Sequence, residues 1–292
     1  MKSVLDTIVA GTEYLEKKGV EDARLNMEYL LARALGCRRL DLYLQFDRPL
    51  QEEELSPCRE LVKRRGEREP LQHLLGDVDF LGREFLCDGR ALIPRSEMEV
   101  LVERVAGILG GKGSDFCGSL CDVGCGSGVI GLSLAAELGD KCSVTLVDVC
   151  SEALALAAEN LLRLGLGDQV VRLVAGNLLE LLPEGAPFDA VVANLPYVET
   201  GEIEGLQPEV HFDPVLALDG GVDGLDLVRR LIAQLPKALV QGGLVALELG
   251  PGQAEAVCAL LEDSGFRQVT SFQDHSGVER FVTGHYGQTK TA

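Results

Sequence analysis

From about residue 97 onward, short apolar segments alternate with amphipathic stretches of helical periodicity, and this alternation restricts the fold more than any other feature. Apolar runs of strand length occur at 119–123, 143–149, 170–174, 189–193 and 243–249. Helical spacing is found near 129–138, 152–164, 224–235 and 252–263. Strands that alternate with helices form a parallel sheet covered on both faces, so an α/β fold is predicted. The last two strands, near 267–273 and 278–284, are separated only by DHSG and are predicted to be antiparallel.

The first 70 residues have apolar residues at helical spacing. The two clearest stripes are Met27, Leu30, Leu31 and Ala34, and Leu55, Cys58 and Val62. Gly19 and Gly36 are predicted to end helices. Because each apolar stripe needs a partner to be buried, a small helical bundle is predicted for residues 1–75.

The segment that follows the bundle predicts a hairpin. The charged stretch KRRGEREP, residues 63–70, is interpreted as the solvated end of the bundle, with contact with a partner as the alternative. The stretch DVDFLGREFLCDGRALIPR then alternates polar and apolar residues around Gly82, as the strands of a β-hairpin do. We therefore expect a hairpin linker at about 76–95, which opens a second domain of residues 76–292.

Composition and charge argue against several classes of protein. Hydrophobic residues make up 46% of the 292 residues, which is enough for a packed core. The formal net charge of −19 argues against direct nucleic-acid binding, which needs clustered Lys and Arg, and is compatible with a basic protein partner. No apolar run reaches the roughly 18 residues of a membrane span, and the first residues lack a signal-peptide cleavage site. A soluble, cytoplasmic protein without a membrane partner is expected.

The cysteines and histidines do not suggest metal or disulfide chemistry. The nine cysteines form no C-x-x-C pair and mostly lie in apolar runs, so they are predicted to be reduced core residues. Cys117, Cys121 and Cys125 match no zinc or iron–sulfur spacing, so no metal site is predicted. His211 has no acid partner in the sequence and is interpreted as a structural residue rather than a base.

A strand, a glycine loop and a helix follow one another in LCDVGCGSGVIGLSLAAELG. Gly124, Gly126 and Gly128 allow a tight turn and the close approach of a ligand. Asp148, about 20 residues further on at the end of the next strand, can accept hydrogen bonds from two ribose hydroxyls. The spacing G-x-G-x-G, in place of G-x-G-x-x-G, favours S-adenosylmethionine over NAD, since a cationic sulfonium gains nothing from a helix N-terminus. Asn177, after the third strand, could contact the adenine edge.

The fourth strand ends in ANLPYVE, residues 193–199. The Asn194 side-chain oxygen and a main-chain carbonyl of the turn to Pro196 can each accept one N–H of an NH₂ group, and the Tyr197 ring can cover a planar group. A planar amide nitrogen is a poor nucleophile because its lone pair is delocalised. When both hydrogens are held, the lone pair points at the cofactor methyl group, so orientation supplies most of the acceleration and no base is needed.

These motifs are joined by others along nearly the whole chain. They are ARLNMEYLLARALG, RRGEREPLQHLLGDVDFLGREF, LIPRSEMEVLVE, DVGCGSG, ANLPYV, DPVLALDGGVDGLDLVRRLI, LELGPGQAEAV and GVERFV. In this combination the chain resembles the protein-(glutamine) methyltransferases that modify peptide chain release factors, the PrmC/HemK type.

The resemblance implies a helical N-terminal domain that grips the release factor and a seven-stranded, Rossmann-like class I methyltransferase sheet. The substrate would be the glutamine of the factor's Gly-Gly-Gln loop, methylated on its side-chain amide nitrogen, with S-adenosylhomocysteine as the second product. The implied cofactor-binding residues are Gly124, Cys125, Gly126, Ser127, Gly128, Asp148, Asn177 and Leu178. The implied substrate-binding residues are Asn194, Leu195, Pro196 and Tyr197, with Asn194, Pro196 and Tyr197 expected to be catalytic.

Several positions depart from the family pattern. Leu195 replaces the first proline of Asn-Pro-Pro-Tyr, but both predicted acceptors are kept. Asn177 and Leu178 stand where Asp and an aromatic residue are common, which predicts weaker adenine contacts. The other departures are Ser96, Met98 and Asp213, in place of Pro, Thr and Glu.

Two alternatives stay open. NLPY is the form found in ribosomal RNA adenine dimethyltransferases, although these have their glycine loop near the N-terminus and their helical domain at the end. A catalytically silent paralogue that binds S-adenosylmethionine or a translation factor is compatible with the departures. Labelled cofactor, offered with a release factor or with ribosomal RNA, distinguishes the three.

Overall fold

A computed structural model describes residues 2–110, 117–140, 142–167, 170–181 and 187–287 of the chain. Two compact units form. The first consists of the residues up to Val78 together with Gln207–Phe212, and the second of Asp79–Leu206 and the residues from Asp213 onward. No sequence pattern indicated that Gln207–Phe212 groups with the first unit, and the predicted domain division at residue 75 stays a prediction.

The first unit is helical. Its elements are α1 (Val4–Lys17), α2 (Ala23–Leu35), α3 (Glu52–Gly66) and α4 (Leu71–Leu75), with 3₁₀ turns at Arg39–Leu44 and Pro208–Phe212. α1 begins at a capping box, in which the Asp6 N–H donates to Ser3 Oγ (3.1 Å) and the Ser3 N–H donates to the Asp6 carboxylate (3.0 Å). α2 ends at Gly36, whose φ of 63° lies in the left-handed region, as the sequence predicted.

The two predicted apolar stripes form the core of this unit. Met27 and Leu31 of the first stripe and Leu55 and Cys58 of the second are buried together with Ile8 of α1. The predicted helical bundle is therefore confirmed. Its packing explains why the stripes recur every three to four residues, since only one face of each helix meets the core.

The charged stretch KRRGEREP was interpreted as a solvated helix end, and for Arg65 this is wrong. α3 continues through Gly66, and Arg65 is only 6% exposed. Its Nε donates to Asn26 Oδ1 (2.8 Å) and its Nη2 to Glu209 Oε1 (2.9 Å), while Arg68 Nη2 donates to Glu209 Oε2 (2.6 Å). The acid that compensates this buried charge lies far along the chain, so the local pattern could not reveal it.

The predicted hairpin consists of β1 (Asp77–Phe80) and β2 (Arg83–Leu86). Its turn contains Leu81 and Gly82, with φ of 50° and 69°. Phe80 and Phe85 are buried with their ring centroids 6.2 Å apart in an edge-to-face arrangement.

The second unit contains a seven-stranded sheet. Its strands are β3 (Gly118–Val123), β4 (Cys142–Asp148), β5 (Val171–Ala175), β6 (Phe188–Asn194), β7 (Leu239–Glu248), β8 (Phe266–Gln273) and β9 (Glu279–Tyr286). They lie in the order β5-β4-β3-β6-β7-β9-β8. The strands from β3 to β7 are parallel to their neighbours, whereas β9 is antiparallel to both β7 and β8, which confirms the predicted topology.

Four of the described helices of the second unit follow the predicted alternation, whereas the first, Glu97–Gly110, was not predicted. The helices are α5 (Glu97–Gly110), α6 (Val129–Leu138), α7 (Ser151–Arg163), α8 (Asp226–Ala238) and α9 (Ala254–Asp263), with 3₁₀ turns at Thr200–Gly205 and Val215–Ala217. The largest boundary differences from the prediction are that β7 begins at Leu239 and that α8 continues past Pro236.

The connections place a crevice at the carboxyl ends of the central strands. The chain runs from β3 outward to β4 and β5, and then returns to β6 on the other side of β3. In open α/β sheets, ligands bind at such a reversal of strand order.

All nine cysteines lie in the described ranges and are free. Cys58, Cys87, Cys121, Cys125 and Cys142 are buried, whereas Cys117 is exposed. The core interpretation therefore fails for Cys117.

Candidate active site

The glycine loop follows β3 and has the backbone conformation expected from the sequence. Gly124, Gly126 and Gly128 have φ of 71°, 55° and 79°, in the left-handed region that glycine adopts without strain. A Cβ at Gly124 would lie 2.9 Å from Leu195 Cδ2. A side chain at position 124 would therefore strain the backbone and also displace the Leu195 side chain.

Asp148, at the end of β4, stabilises this loop. Its Oδ2 accepts a hydrogen bond from the Gly126 N–H (2.8 Å), and its Oδ1 accepts one from the Cys150 N–H (2.8 Å). Because each carboxylate oxygen has two acceptor positions, both oxygens keep one for a ligand. The aspartate can bind two hydroxyl groups while it fixes the loop.

A cavity of about 290 Å³ lies at the carboxyl ends of β3, β4 and β6. The predicted site residues that line it are Gly124, Cys125, Gly126, Ser127, Asp148, Asn177, Leu178, Asn194, Leu195 and Pro196. Among the described residues that were predicted for the site, Gly128 and Tyr197 do not line the cavity. Gly128 instead forms the N-cap of α6.

Two arginines line the cavity, and both are engaged by acids. Arg90 donates to Asp88 (2.8 Å) and Glu159 (2.7 Å), and Arg230 lies 3.2 Å from Glu180. A pyrophosphate would have to compete with these carboxylates. The lining thus fits a nucleoside with a positive charge better than a dinucleotide.

Asn177 and Leu178 line the cavity in different ways. Asn177 Nδ2 lies 3.4 Å from Glu180 Oε1. Leu178 is only 7% exposed and belongs to the apolar core of the sheet. Its φ of 53° is in a region that a leucine rarely adopts.

Asn194, Leu195 and Pro196 of the turn after β6 all line the cavity, and Leu195 also packs in the core. Asn194 lines the cavity, and its side-chain amide has no hydrogen-bond partner within the described part of the chain. Leu195 is 4% exposed and packs in the apolar core. A Cβ at Gly220 would lie 2.7 Å from the Pro196 carbonyl oxygen, so glycine permits a close backbone approach here.

Tyr197 is half-buried beside this turn. Its main-chain carbonyl accepts a hydrogen bond from Gln253 Nε2 (3.1 Å), and a Cβ at Gly250 would lie 3.1 Å from Tyr197 Cδ2. Burial raises the pKa of the Tyr197 phenol to about 12, and the nearby Glu248 carboxyl adds to this shift. A phenol is already protonated at neutral pH with its ordinary pKa of about 10, and the shift lowers the phenolate fraction further, so Tyr197 is unsuited to act as a base.

Sequence reasoning missed two buried acids near the site. Asp122 in β3 is 1% exposed, its Oδ2 accepts the Gly131 N–H (2.8 Å), and burial raises its pKa to about 7. Glu248 at the end of β7 is 3% exposed, and burial raises its pKa to about 8. A sequence pattern could have revealed them, because each is an acid in a mostly apolar strand and unpaired carboxylates are rarely buried.

The remaining departures from the family pattern lie close to Arg95. Met98 lines the cavity, and its Sδ accepts from the Arg95 N–H (3.4 Å). Asp213 accepts from the Ile93 N–H and from Arg95 Nη2, both at 3.4 Å, and burial raises its pKa to about 6. Ser96 is exposed and its Oγ donates to Glu97 (3.4 Å).

Other site types find no support within the described ranges. There, no group of three or more His, Cys, Asp and Glu side chains could hold a metal ion. His211 belongs to the 3₁₀ turn Pro208–Phe212, which groups with the first unit. Among the described helices, none combines the length and the apolar character needed to cross a membrane.

The fold and the site together define a class of protein. A Rossmann-like sheet with a glycine loop after β3, an acid at the end of β4 and a polar turn after β6 is the arrangement of a class I methyltransferase. The family model described as "Methyltransferase domain" matches residues 120–211, and that described as "PrmC N-terminal domain" matches residues 6–76.

Curated relatives then identify the family. The release factor glutamine methyltransferase of Geobacter sulfurreducens is 43% identical over 275 residues, which cover 94% of this chain and 93% of that protein. The release factor glutamine methyltransferase of Moorella thermoacetica is 39% identical over 270 residues, which cover 90% of this chain and 91% of that protein. The chain belongs to the release factor glutamine methyltransferase family, which confirms the resemblance found in the sequence.

A solved structure supports the fold. The structure of the T. thermophilus 16S rRNA N2 G1207 methyltransferase, in complex with AdoMet and guanosine, matches with a TM-score of 0.52 and 18% identity. The match covers 72% of this chain and 49% of that chain. At this identity, the similarity concerns the fold alone.

Proposed function

We propose that this chain transfers a methyl group from S-adenosylmethionine to the side-chain amide nitrogen of the glutamine in the Gly-Gly-Gln loop of peptide chain release factors. S-adenosylhomocysteine is then the second product. The observation that carries the proposal is that Asn194 and Pro196 line the same cavity as the glycine loop and Asp148. Family membership supplies the substrate class.

The cavity residues suit S-adenosylmethionine. Residues 124–127 bring backbone against the ligand, and Asp148 has acceptor positions left for two ribose hydroxyls. Asn177 and Leu178, which line the same cavity, would contact the adenine ring, and Gly128 is the N-cap of α6. When bound, S-adenosylmethionine supplies a methyl group on a positively charged sulfur.

Asn194 and the turn after it orient the glutamine. The Asn194 amide oxygen accepts one N–H of the substrate NH₂, and a main-chain carbonyl of the turn to Pro196 accepts the other. The lone pair of the substrate nitrogen would then be free to form the new N–C bond while the bond between the methyl carbon and the sulfur breaks and its electron pair stays on sulfur. Such positioning can contribute about 7–11 kcal/mol to lowering the barrier.

The neighbouring residues complete the substrate site. Leu195 packs in the core and fixes the turn, which compensates for the missing proline. Tyr197, next to this turn but outside the cavity lining, is the residue whose ring would cover the flat amide, and burial raises the pKa of its phenol to about 12. The methylated nitrogen becomes acidic and releases its proton to solvent, so no protein base is required.

Partners and location follow from the substrate. The helical N-terminal domain, residues 1–75 in the predicted division, binds the release factor, and residues 76–292 carry the reaction. A net charge of −19 favours a protein partner over nucleic acid or an anionic membrane. Because release factors act in translation, the proposed substrate puts the activity in the cytoplasm.

A labelling experiment tests the proposal. The protein is incubated with methyl-labelled S-adenosylmethionine and a release factor, a release factor whose Gly-Gly-Gln glutamine is replaced by alanine, or ribosomal RNA. Label in the intact factor alone is expected. Label in RNA would instead support an adenine methyltransferase, and no label in any sample would support a silent paralogue.

A further inference from the structure

Glu248 is a buried acid that the proposed chemistry leaves without a role. It is the last residue of β7, whose preceding residues from Leu244 to Leu247 are apolar and buried, and it is 3% exposed. Its Oε2 is buried and has no hydrogen-bond partner within the described residues. A buried polar atom without a partner costs about 1–3 kcal/mol, so its presence calls for a functional explanation.

The sheet register puts Glu248 next to Asn194. β6 and β7 are parallel, and Asn194 is the register partner of Glu248. One position earlier, Ala193 and Leu247 both lie in the same apolar core, so Asn194 and Glu248 share the opposite face of the sheet. Neighbouring strands lie about 4.8 Å apart, which leaves the two side chains adjacent.

The charged groups around Glu248 are engaged elsewhere. Arg280 donates to Asp274 (2.7 Å), and Arg95 donates to Asp213 (3.4 Å). Arg280 and Arg95 lower the pKa of Glu248, and Glu97 and Asp274 raise it, but burial outweighs all four. Glu248 thus has no dedicated ion-pair partner among the described residues, whereas Asn194 beside it has a free amide.

The chemistry of an amide explains why Asn194 needs a neighbour. An asparagine side chain has an oxygen and an NH₂ group of similar shape, and rotation exchanges them. Only the oxygen can accept from the glutamine NH₂, because the other orientation sets two donor groups against each other. An acceptor on the far side of Asn194 would select the productive orientation.

We propose that Glu248 is a positioning residue for methyl transfer: its carboxyl oxygen accepts an N–H from Asn194 Nδ2 when the glutamine binds, and so directs Asn194 Oδ1 to the substrate nitrogen. This inference rests on the proposed function. The two side chains are not hydrogen-bonded in the structure, so closing the contact requires side-chain rotation, as active-site hydrogen bonds often tighten with substrate.

Two variants separate this role from a structural one. Glu248→Met keeps a similar volume and removes the acceptor, so kcat should fall by about 10-fold or more, the scale seen when a group that orients a ligating side chain is lost. Its cofactor affinity should be unchanged, and its melting temperature equal or higher, because an unpartnered buried carboxyl is gone. Glu248→Gln retains an acceptor oxygen and should restore most of the turnover that Glu248→Met loses.

A matched control comes from β9. Thr283 is a buried polar side chain that lies 3.1 Å from Thr270 Oγ1 and faces β7 at Ala246. Thr283→Val should change the melting temperature without changing kcat. If Thr283→Val lowered kcat as much as Glu248→Met, the proposed role would be overturned. The loss of any buried polar side chain would then be enough to lower kcat.

The coupling to Asn194 completes the test. In an Asn194→Ala background, Glu248→Met should lower kcat no further, because it acts through Asn194. Full labelling of the release factor by the Glu248→Met variant would overturn the Glu248 role while leaving the proposed function intact. Failure of the unaltered protein to label the factor would overturn the function itself, and the Glu248 role with it.

Discussion

At the scale of single residues, the site divides its tasks between two strand ends. Asp148, at the end of β4, accepts hydrogen bonds from the loop and has capacity left for a ligand. Asn194, at the end of β6, lines the same cavity with an uncommitted amide. Substitution at these two positions should therefore affect different kinetic constants.

Asn194→Ala should lower kcat/KM for the release factor by at least about 100-fold, the scale for losing one preorganised hydrogen bond in the transition state. Cofactor affinity should change little, because the proposed role of Asn194 is to hold the substrate amide. Steady-state methylation assays and calorimetry measure the two quantities. Near-normal turnover would contradict the assigned role.

Asp148→Asn should weaken S-adenosylmethionine binding by roughly 10–100-fold, because hydrogen bonds to a charged acceptor contribute about 1.5–3 kcal/mol each. Turnover at saturating cofactor should be largely retained. Calorimetry gives the affinity, and Asp189→Asn, at the start of β6 where the carboxylate accepts the Ser119 N–H, is the control. Equal cofactor affinity in the two variants would contradict the role of Asp148 in cofactor binding.

Glu248 should also give the protein a pH-dependent stability. Its pKa is raised from the ordinary 4.5 to about 8, chiefly by burial, although Arg280 and Arg95 oppose the shift. At pH values between these two pKa values, the Glu248 carboxyl is deprotonated in the unfolded chain and protonated in the folded protein. The contribution to the free energy of unfolding therefore falls by up to about 1.4 kcal/mol per pH unit as pH rises through this window.

Glu248→Gln should remove that slope. Urea unfolding of both proteins between pH 5 and pH 8, roughly the interval in which only the unfolded chain ionises, gives the difference. Asp122 and Asp213, whose pKa values are also raised by burial, contribute to both proteins and cancel in the subtraction. Parallel stability curves would show that Glu248 ionises normally.

At the scale of elements, close packing of helix on sheet fixes the position of the glycine loop. Gly131 lies in the interior of α6, and a Cβ there would come within 2.3 Å of Leu146 Cδ2 and 2.9 Å of Asp122 Oδ2. Its N–H also donates to Asp122. Because α6 begins directly after the loop, a displaced helix would move the proposed cofactor site.

Gly131→Ala should destabilise the protein by about 1–3 kcal/mol, since overpacking outweighs the gain of about 1 kcal/mol in helix propensity. Gly107→Ala, at an exposed position of α5 where a Cβ would meet nothing within 4 Å, should stabilise it by up to about 1 kcal/mol. Chemical denaturation of both variants measures the effect. Changes of the same sign would disprove the packing argument.

The elements that sequence predicted well share a local cause. β3, β4, β6 and the glycine loop were predictable because burial on both faces and left-handed turns leave marks in neighbouring residues. The packing of Leu195 against Gly124, the neutral state of Glu248 and the burial of Arg65 depend on residues from distant elements. The local sequence pattern does not indicate contacts between distant elements, so these features could be recognised only in the structure.

At the scale of the whole molecule, the first unit is assembled from two separate parts of the chain. Glu209 receives hydrogen bonds from Arg65 and Arg68, and it belongs to the segment Gln207–Phe212. A buried guanidinium that loses its acid is costly, whereas an exposed ion pair contributes little.

Glu209→Gln should therefore lower the stability of the helical unit by about 1–3 kcal/mol, since Arg65 retains its bond to Asn26. Glu52→Gln, which breaks an exposed ion pair with Arg59 on α3, should cause no measurable change. Hydrogen exchange of α3 amides measures local stability. Identical exchange in both variants would mean that the charge of Glu209 is dispensable.

The two-part first unit has a consequence for synthesis on the ribosome. Arg65 emerges 144 residues before the acid that neutralises it. At about 5–20 residues per second, the N-terminal helices exist for roughly 7–30 seconds before Glu209 can pair with Arg65, near the end of α3. The N-terminal part of a nascent chain is therefore expected to stay sensitive to proteases until the second part has been translated, and to become resistant only then.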